Sequence, residues 1–109
     1  MSRLPVFFHP EAVEEVEAAV RWYGDRSTAA ASRLVQELTQ TIDRIAEAPE
    51  RWMLFESGTR RFALRRFPFF VVYRVSGTVI EVLAVAHARR RPGYWRKRTE
   101  GEPDREMTG

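Results

Sequence analysis

The chain has 109 residues, 44% of them hydrophobic, with no cysteine and two histidines, His9 and His87. That length supports one core and one domain, the composition is that of a globular protein, and disulfides and cysteine-ligated metal are excluded. Two histidines are too few for a zinc site, so neither metal nor cofactor is expected. No apolar run approaches the roughly 18 residues that span a bilayer, and the N-terminus lacks a signal-peptide pattern, so a cytoplasmic protein with no membrane partner is expected.

The net charge of +3 conceals a strong asymmetry. Residues 59–98 hold eleven basic side chains against one acidic, Glu81, whereas the segments on either side are net acidic. A solvated face with no partner usually mixes signs, because a single-sign surface repels itself. The asymmetry therefore points to a negatively charged partner.

Leu4 to Phe8 is a short apolar run that fits an opening strand, with Pro5 favouring an edge position. Pro10 suits the first turn of a helix, and Val13, Val16, Val20 and Tyr23 recur at helical spacing after it. Glu11, Glu14, Glu15 and Glu17 crowd the start of this helix, where negative charge suits the macrodipole, and they read as a solvent face. Gly24 to Ser27 breaks the pattern, with Asp25 or Ser27 as the cap of a second helix. Ala31, Leu34, Val35, Leu38, Ile42 and Ile45 form its apolar stripe until Pro49 ends it. So short a connection predicts an antiparallel helical hairpin, near 10–24 and 28–48. Trp52 is expected on the core.

After Pro49 the period changes from helical to alternating. Residues 60–67, 69–75 and 79–87 read as a three-stranded meander, with a turn at Ser76-Gly77-Thr78. The order β-α-α-β-β-β predicts a two-layer α+β domain over residues 1–98, an antiparallel hairpin packed on a mostly antiparallel sheet. Residues 99–109, polar and without an aromatic residue, are expected to form a disordered tail.

Alternation also assigns the faces. With Glu81 outward, Leu83, Val85 and His87 follow it, while Ile80, Val82, Ala84 and Ala86 face the helices. Arg74 outward takes Phe70 with it, and Phe62 and Leu64 inward leave Arg61 and Arg65 outward. The face away from the helices is then expected to be open and to combine Arg61, Arg65, Phe70, Arg74 and His87 with exposed Leu83 and Val85. Basic and apolar groups mixed in this way are typical of a binding groove. Tyr94 and Trp95 are expected to fold back onto the domain.

Phe8-His9-Pro10-Glu11-Ala12, Trp22-Tyr23, Ala48-Pro49-Glu50-Arg51-Trp52, Arg65-Arg66-Phe67-Pro68-Phe69, Val72-Tyr73-Arg74-Val75 and Ala84 to Pro92 occur in one order and spacing. In that ordered set, over roughly residues 4–98, the chain resembles the RelE/ParE toxins of type II toxin–antitoxin systems, a family linked to plasmid stabilization. The resemblance implies the fold just described and a cognate antitoxin, small and acidic or with a disordered C-terminal segment, in a hetero-oligomer. Its acidic side chains would pair with Arg61, Arg65 and Arg74. RelE-like members cut messenger RNA on the ribosome and typically place an arginine two residues before the Val-Tyr of the middle strand. Here that position is Phe70. The Phe-Pro-aromatic stretch and the His-x-Arg-Arg-x-Pro segment look more like the ParE branch, whose members inhibit DNA gyrase by binding and are not nucleases.

The resemblance therefore implies a gyrase inhibitor that is not an enzyme, with Arg61, Arg65, Phe70, Arg74, Leu83, Val85, Arg89, Arg90 and Trp95 as the surface for target or antitoxin. One alternative is a metal-independent, ribosome-dependent endoribonuclease using Arg65, Arg66, His87 and Arg89. Another is a basic interaction module without toxicity. His87 has two open roles: a general base, since imidazole titrates near neutrality, or a structural group that fixes the end of its strand by bonding a backbone carbonyl.

Overall fold

Capping residues set both helices. Residues 3–55 and 58–99 are described by the computed structural model. Helix α1 runs Pro10–Gly24, with Pro10 at its start and the His9 side chain accepting the Glu11 amide. Helix α2 runs Thr28–Glu47, and the Ser27 hydroxyl accepts the Ala30 amide, so Ser27 is the cap. The strands are β1 (Val6–Phe8), β2 (Met53–Leu54), β3 (Arg60–Ala63), β4 (Phe69–Ser76) and β5 (Val79–His87), and a 3₁₀ turn spans Arg96–Thr99. Thr99 thus belongs to the folded part, one residue beyond the expected boundary, and the expected tail from residue 100 lies outside the described residues.

Among the described residues the sheet has the order β1-β5-β4-β3-β2. β1 pairs parallel with β5 at the edge where Pro5 was expected, and the other pairs are antiparallel. The β4–β5 turn uses Gly77 at φ 63°, a left-handed conformation that a two-residue hairpin loop favours. Beyond the predicted meander there is one short strand, β2, on the outer side of β3. β3 stops at Ala63, short of the expected residue 67, because the backbone amides of Arg65 and Arg66 turn away to the Glu37 carboxylate on α2.

The main core lies between the helices and one sheet face. Ala12, Ala19, Leu34, Leu38 and Ile45 pack against Val71, Tyr73, Ile80, Val82 and Val85, with Trp52 at the margin against Phe62. α1 is rotated from the predicted stripe: Ala12 and Ala19 are buried and Val13 is exposed, since small side chains let this helix approach β5 closely. The Tyr73 ring is fully buried, and its hydroxyl donates to the Pro49 carbonyl at 2.5 Å, tying β4 to the end of α2.

One irregularity changes the face assignment. Tyr73 pairs with Val82 and Val72 with Ala84, so Leu83 is an extra residue that forms a bulge in β5. Alternation holds up to Val82 and inverts from Ala84 onward. Val85 joins the helix-side core, while Leu83 and Ala84 pack together on the opposite face with Val72 and Trp95. That face is not open. The segment after β5 returns across it, because Phe70, Val72, Leu83 and Ala84 form an apolar strip that water would leave unfavourably exposed.

The buried Tyr73 phenol gives a pH signature. Burial pushes it up to about 12 from its ordinary 10.0, with the Arg60 charge opposing. A raised folded-state value gives stability that is complete below pH 10 and is lost as pH rises through about 12. Tyr73→Phe is expected to lose about 1 kcal/mol at pH 7 through the unpaired Pro49 carbonyl, and to fall less steeply than wild type between pH 10 and 12 in urea titrations.

Candidate functional site

The face away from the helices is built from β4 and β3 outward. Arg61 sits opposite Val72 and projects to this face, its guanidinium 4.6 Å from the Phe55 ring centre and 5.2 Å from that of Phe70. Phe55 stacks on Trp95 at 5.2 Å and meets Phe70 edge-on at 6.1 Å. The result is an aromatic layer with one arginine lying on it, a geometry that favours the cation while leaving its edge free to pair. Arg74 shares the face, and its Nε and Nη2 both lie 3.0 Å from Glu81 across the β4–β5 pair. Arg61, Phe70 and Arg74 are thus brought together as alternation predicted, but Arg74 is already ion-paired.

Several expected members lie elsewhere. Leu83 is 0% exposed beneath Trp95, Val85 is 2% exposed on the helix side, and Trp95 itself is 1% exposed. Trp95 folds back as expected, and for that reason none of the three presents a surface to a partner. Arg65 does not join the sheet wall, because β3 has ended before it; Arg65 and Arg66 line a cavity against α2. His87 was expected outward and is on the helix side, since the bulge inverts its parity. Its ring meets Phe69 edge-on at 5.2 Å, and its Nδ1 accepts the Arg89 amide at 3.0 Å. The imidazole thus fixes the end of its strand through an amide, where a carbonyl was expected.

His87 lines a groove of about 420 Å³ between α1, β5 and the returning segment, with Ala18, Trp22, Phe69, Arg90 and Tyr94 among its walls. Trp22 is exposed, with the Arg26 guanidinium 3.6 Å over its ring. Arg90 stacks on Tyr94 at 3.9 Å, while the Arg89 side chain is exposed beside it.

A polar cluster holds the returning segment. Arg98 Nη1 donates to the Leu83 carbonyl at 2.9 Å, and its Nη2 reaches Glu15 at 2.9 Å and Glu11 at 3.2 Å. Glu15 also accepts the Val85 amide at 2.9 Å and the Tyr94 hydroxyl at 2.8 Å. Burial, then the bond to Glu15, pushes the Tyr94 phenol well above its ordinary range. Burial works against the Arg98 charge, yet its bonds to Glu15 hold its pKa above the ordinary arginine value. Glu15 is therefore no member of a solvent face. The signal for it in the sequence was its position beside Ala12 and Ala19, where small residues mark close approach; Phe55, in a short irregular segment, left no periodic signal.

A helical hairpin over a five-stranded mixed sheet is a two-layer architecture found in solved ParE- and RelE-type structures. Residues 6–92 match the family described as the ParE toxin of the type II toxin–antitoxin system parDE, and the chain belongs to that family. Its structure is similar to the chromosomal ParDE toxin–antitoxin system from P. aeruginosa, with a TM-score of 0.70 and 20% identity over 78% of this chain and 96% of that one. It is also similar to a free-state mutant of the E. coli toxin RelE, with a TM-score of 0.54 and 19% identity over 81% of this chain and 86% of that one. A search of curated protein sequences finds no match.

Trp95 joins the returning segment to the sheet, so Trp95→Ala is expected to lose about 3–5 kcal/mol in urea unfolding followed by circular dichroism. The variant should also bind a hydrophobic dye that wild type ignores. A loss below about 1 kcal/mol would mean the segment is not anchored there.

Proposed function

We propose that this chain acts as a ParE-like toxin that binds and inhibits DNA gyrase, without nuclease activity, and that a cognate antitoxin silences it. The observation that carries the reading is the separation of the residues a nuclease would need. Cleavage by a 2′-hydroxyl needs a base, an acid and cations around one phosphate. His87 is on the helix side of the sheet with Arg89 and Arg90 near it and its Nδ1 bonded to the Arg89 amide, but Arg61 and Arg74 are on the other face, and Arg65 and Arg66 stand against α2. Phe70, where RelE-like members typically carry an arginine, packs with Phe55. A surface that binds protein needs no such convergence.

The groove beside Trp22 supports the antitoxin part of this reading. It joins apolar walls to Arg90 at its rim, which suits an amphipathic segment that orders on binding, as in a toxin–antitoxin hetero-oligomer. Apolar anchors would supply most of the affinity, and the arginines would speed association.

Purified protein is expected to block supercoiling by DNA gyrase and to leave messenger RNA intact on programmed ribosomes. Site-specific message cleavage, abolished by His87→Ala and accompanied by normal supercoiling, would replace this reading with the ribonuclease one.

A further inference from the structure

The polar side of α2 carries a second stripe that neither the core nor the sheet face uses. Gln36, Glu37, Gln40, Thr41 and Arg44 lie three, four, seven, eight and eleven residues after Arg33, so all six share one face of the helix. Opposite them, Arg65 and Arg66 come from the β3–β4 connection, and the two sides enclose a cavity of about 220 Å³ with Phe62 in its wall.

Four arginines therefore line one small cavity, and the single carboxylate there is engaged. Glu37 accepts the Arg65 amide, and it accepts the Arg66 amide at 3.3 and 3.4 Å. Those bonds hold the connection against α2 and deliver both of its arginines to the cavity. Among the described residues, no ion pair or side-chain hydrogen bond engages the guanidinium groups of Arg33, Arg44, Arg65 or Arg66. Gathering like charges is unfavourable unless an anion offsets it. Arginine's planar fork suits oxyanions, which it can bind through two parallel N–H bonds.

We propose that this cavity is a binding site for a small polyphosphate anion, either free pyrophosphate or the phosphate chain of a nucleotide. The size of the cavity favours it over an acidic peptide. A polyphosphate concentrates several negative charges in a volume that four guanidinium groups can surround, whereas carboxylates on a peptide are spread along a backbone. Gln36 and Gln40 on the same stripe add amide donors for the remaining oxygens. The site is remote from the aromatic face and does not depend on the gyrase reading.

Calorimetric titration of the whole protein with pyrophosphate, at fixed ionic strength in chloride, tests the assignment. Wild type should bind saturably, and Arg33→Gln/Arg44→Gln should weaken binding roughly tenfold or more, as expected for losing charge-assisted bonds. Arg61→Gln, on the other side of the sheet, should bind as wild type does. Both α2 arginines are exposed, so the variant should keep the wild-type circular dichroism; if it does not, Arg44→Gln alone should show the same direction. ATP binding as tightly as pyrophosphate assigns the site to nucleotide phosphates, and weaker ATP binding assigns it to the free anion. Absence of saturable binding, equal binding by the Arg33→Gln/Arg44→Gln variant, or tighter binding of an oligoglutamate peptide would overturn the proposal.

Discussion

The Glu15 carboxylate governs the shape of this molecule. β1 ends at Phe8, and among the described residues β5 continues past it without a partner strand on that side. A strand edge left in that state presents unpaired amides and carbonyls. Glu15 and Arg98 take the place of the missing strand: one accepts the Val85 amide and the other donates to the Leu83 carbonyl. They also pair with each other at 2.9 Å. The backbone groups they satisfy flank Ala84, just past the bulge, where the ladder is already irregular. A buried pair of this kind owes its value to complete hydrogen bonding, since an unmatched partner would be a buried charge. By holding Arg98, Glu15 also holds Tyr94 and Trp95 over the second face, and so determines which part of the basic sheet meets solvent.

Much of the architecture was legible in the sequence, because it rests on periodicity and capping. Pro10, Ser27 and Pro49 bounded the hairpin, and the change from helical to alternating spacing located β4 and β5. Alternation also placed Arg61, Phe70 and Arg74 together correctly, since β4 is regular throughout. It failed from Ala84 onward for one reason. A bulge adds a residue without altering the apolar character of Val82 to Ala86, so nothing in the pattern marks it. His87 and Val85 were assigned to the wrong face by that single inserted residue. Arg65 was misplaced for a different reason: its strand ends early through a tertiary bond to Glu37, a residue 28 positions away that alternation cannot see.

The basic character of residues 59–98 is divided by the fold into separate regions. Arg61 lies on aromatic rings, Arg74 is neutralised by Glu81, Arg98 is enclosed with Glu15, and Arg65 and Arg66 turn toward α2. A charge run that reads as one wall thus becomes an aromatic patch, two structural ion pairs and an anion pocket. The fold thus spreads the arginines over both sides of the sheet and over the flank of α2.

Amide hydrogen exchange at Val85, compared between wild type and Glu15→Ala, tests the governing role of Glu15 most directly. The Val85 amide is expected to be strongly protected in wild type. In the variant it should exchange much faster, and Trp95 should become accessible to a soluble quencher. Unchanged Val85 protection with Trp95 still shielded would contradict the account, and would mean that the returning segment is held by its apolar contacts alone.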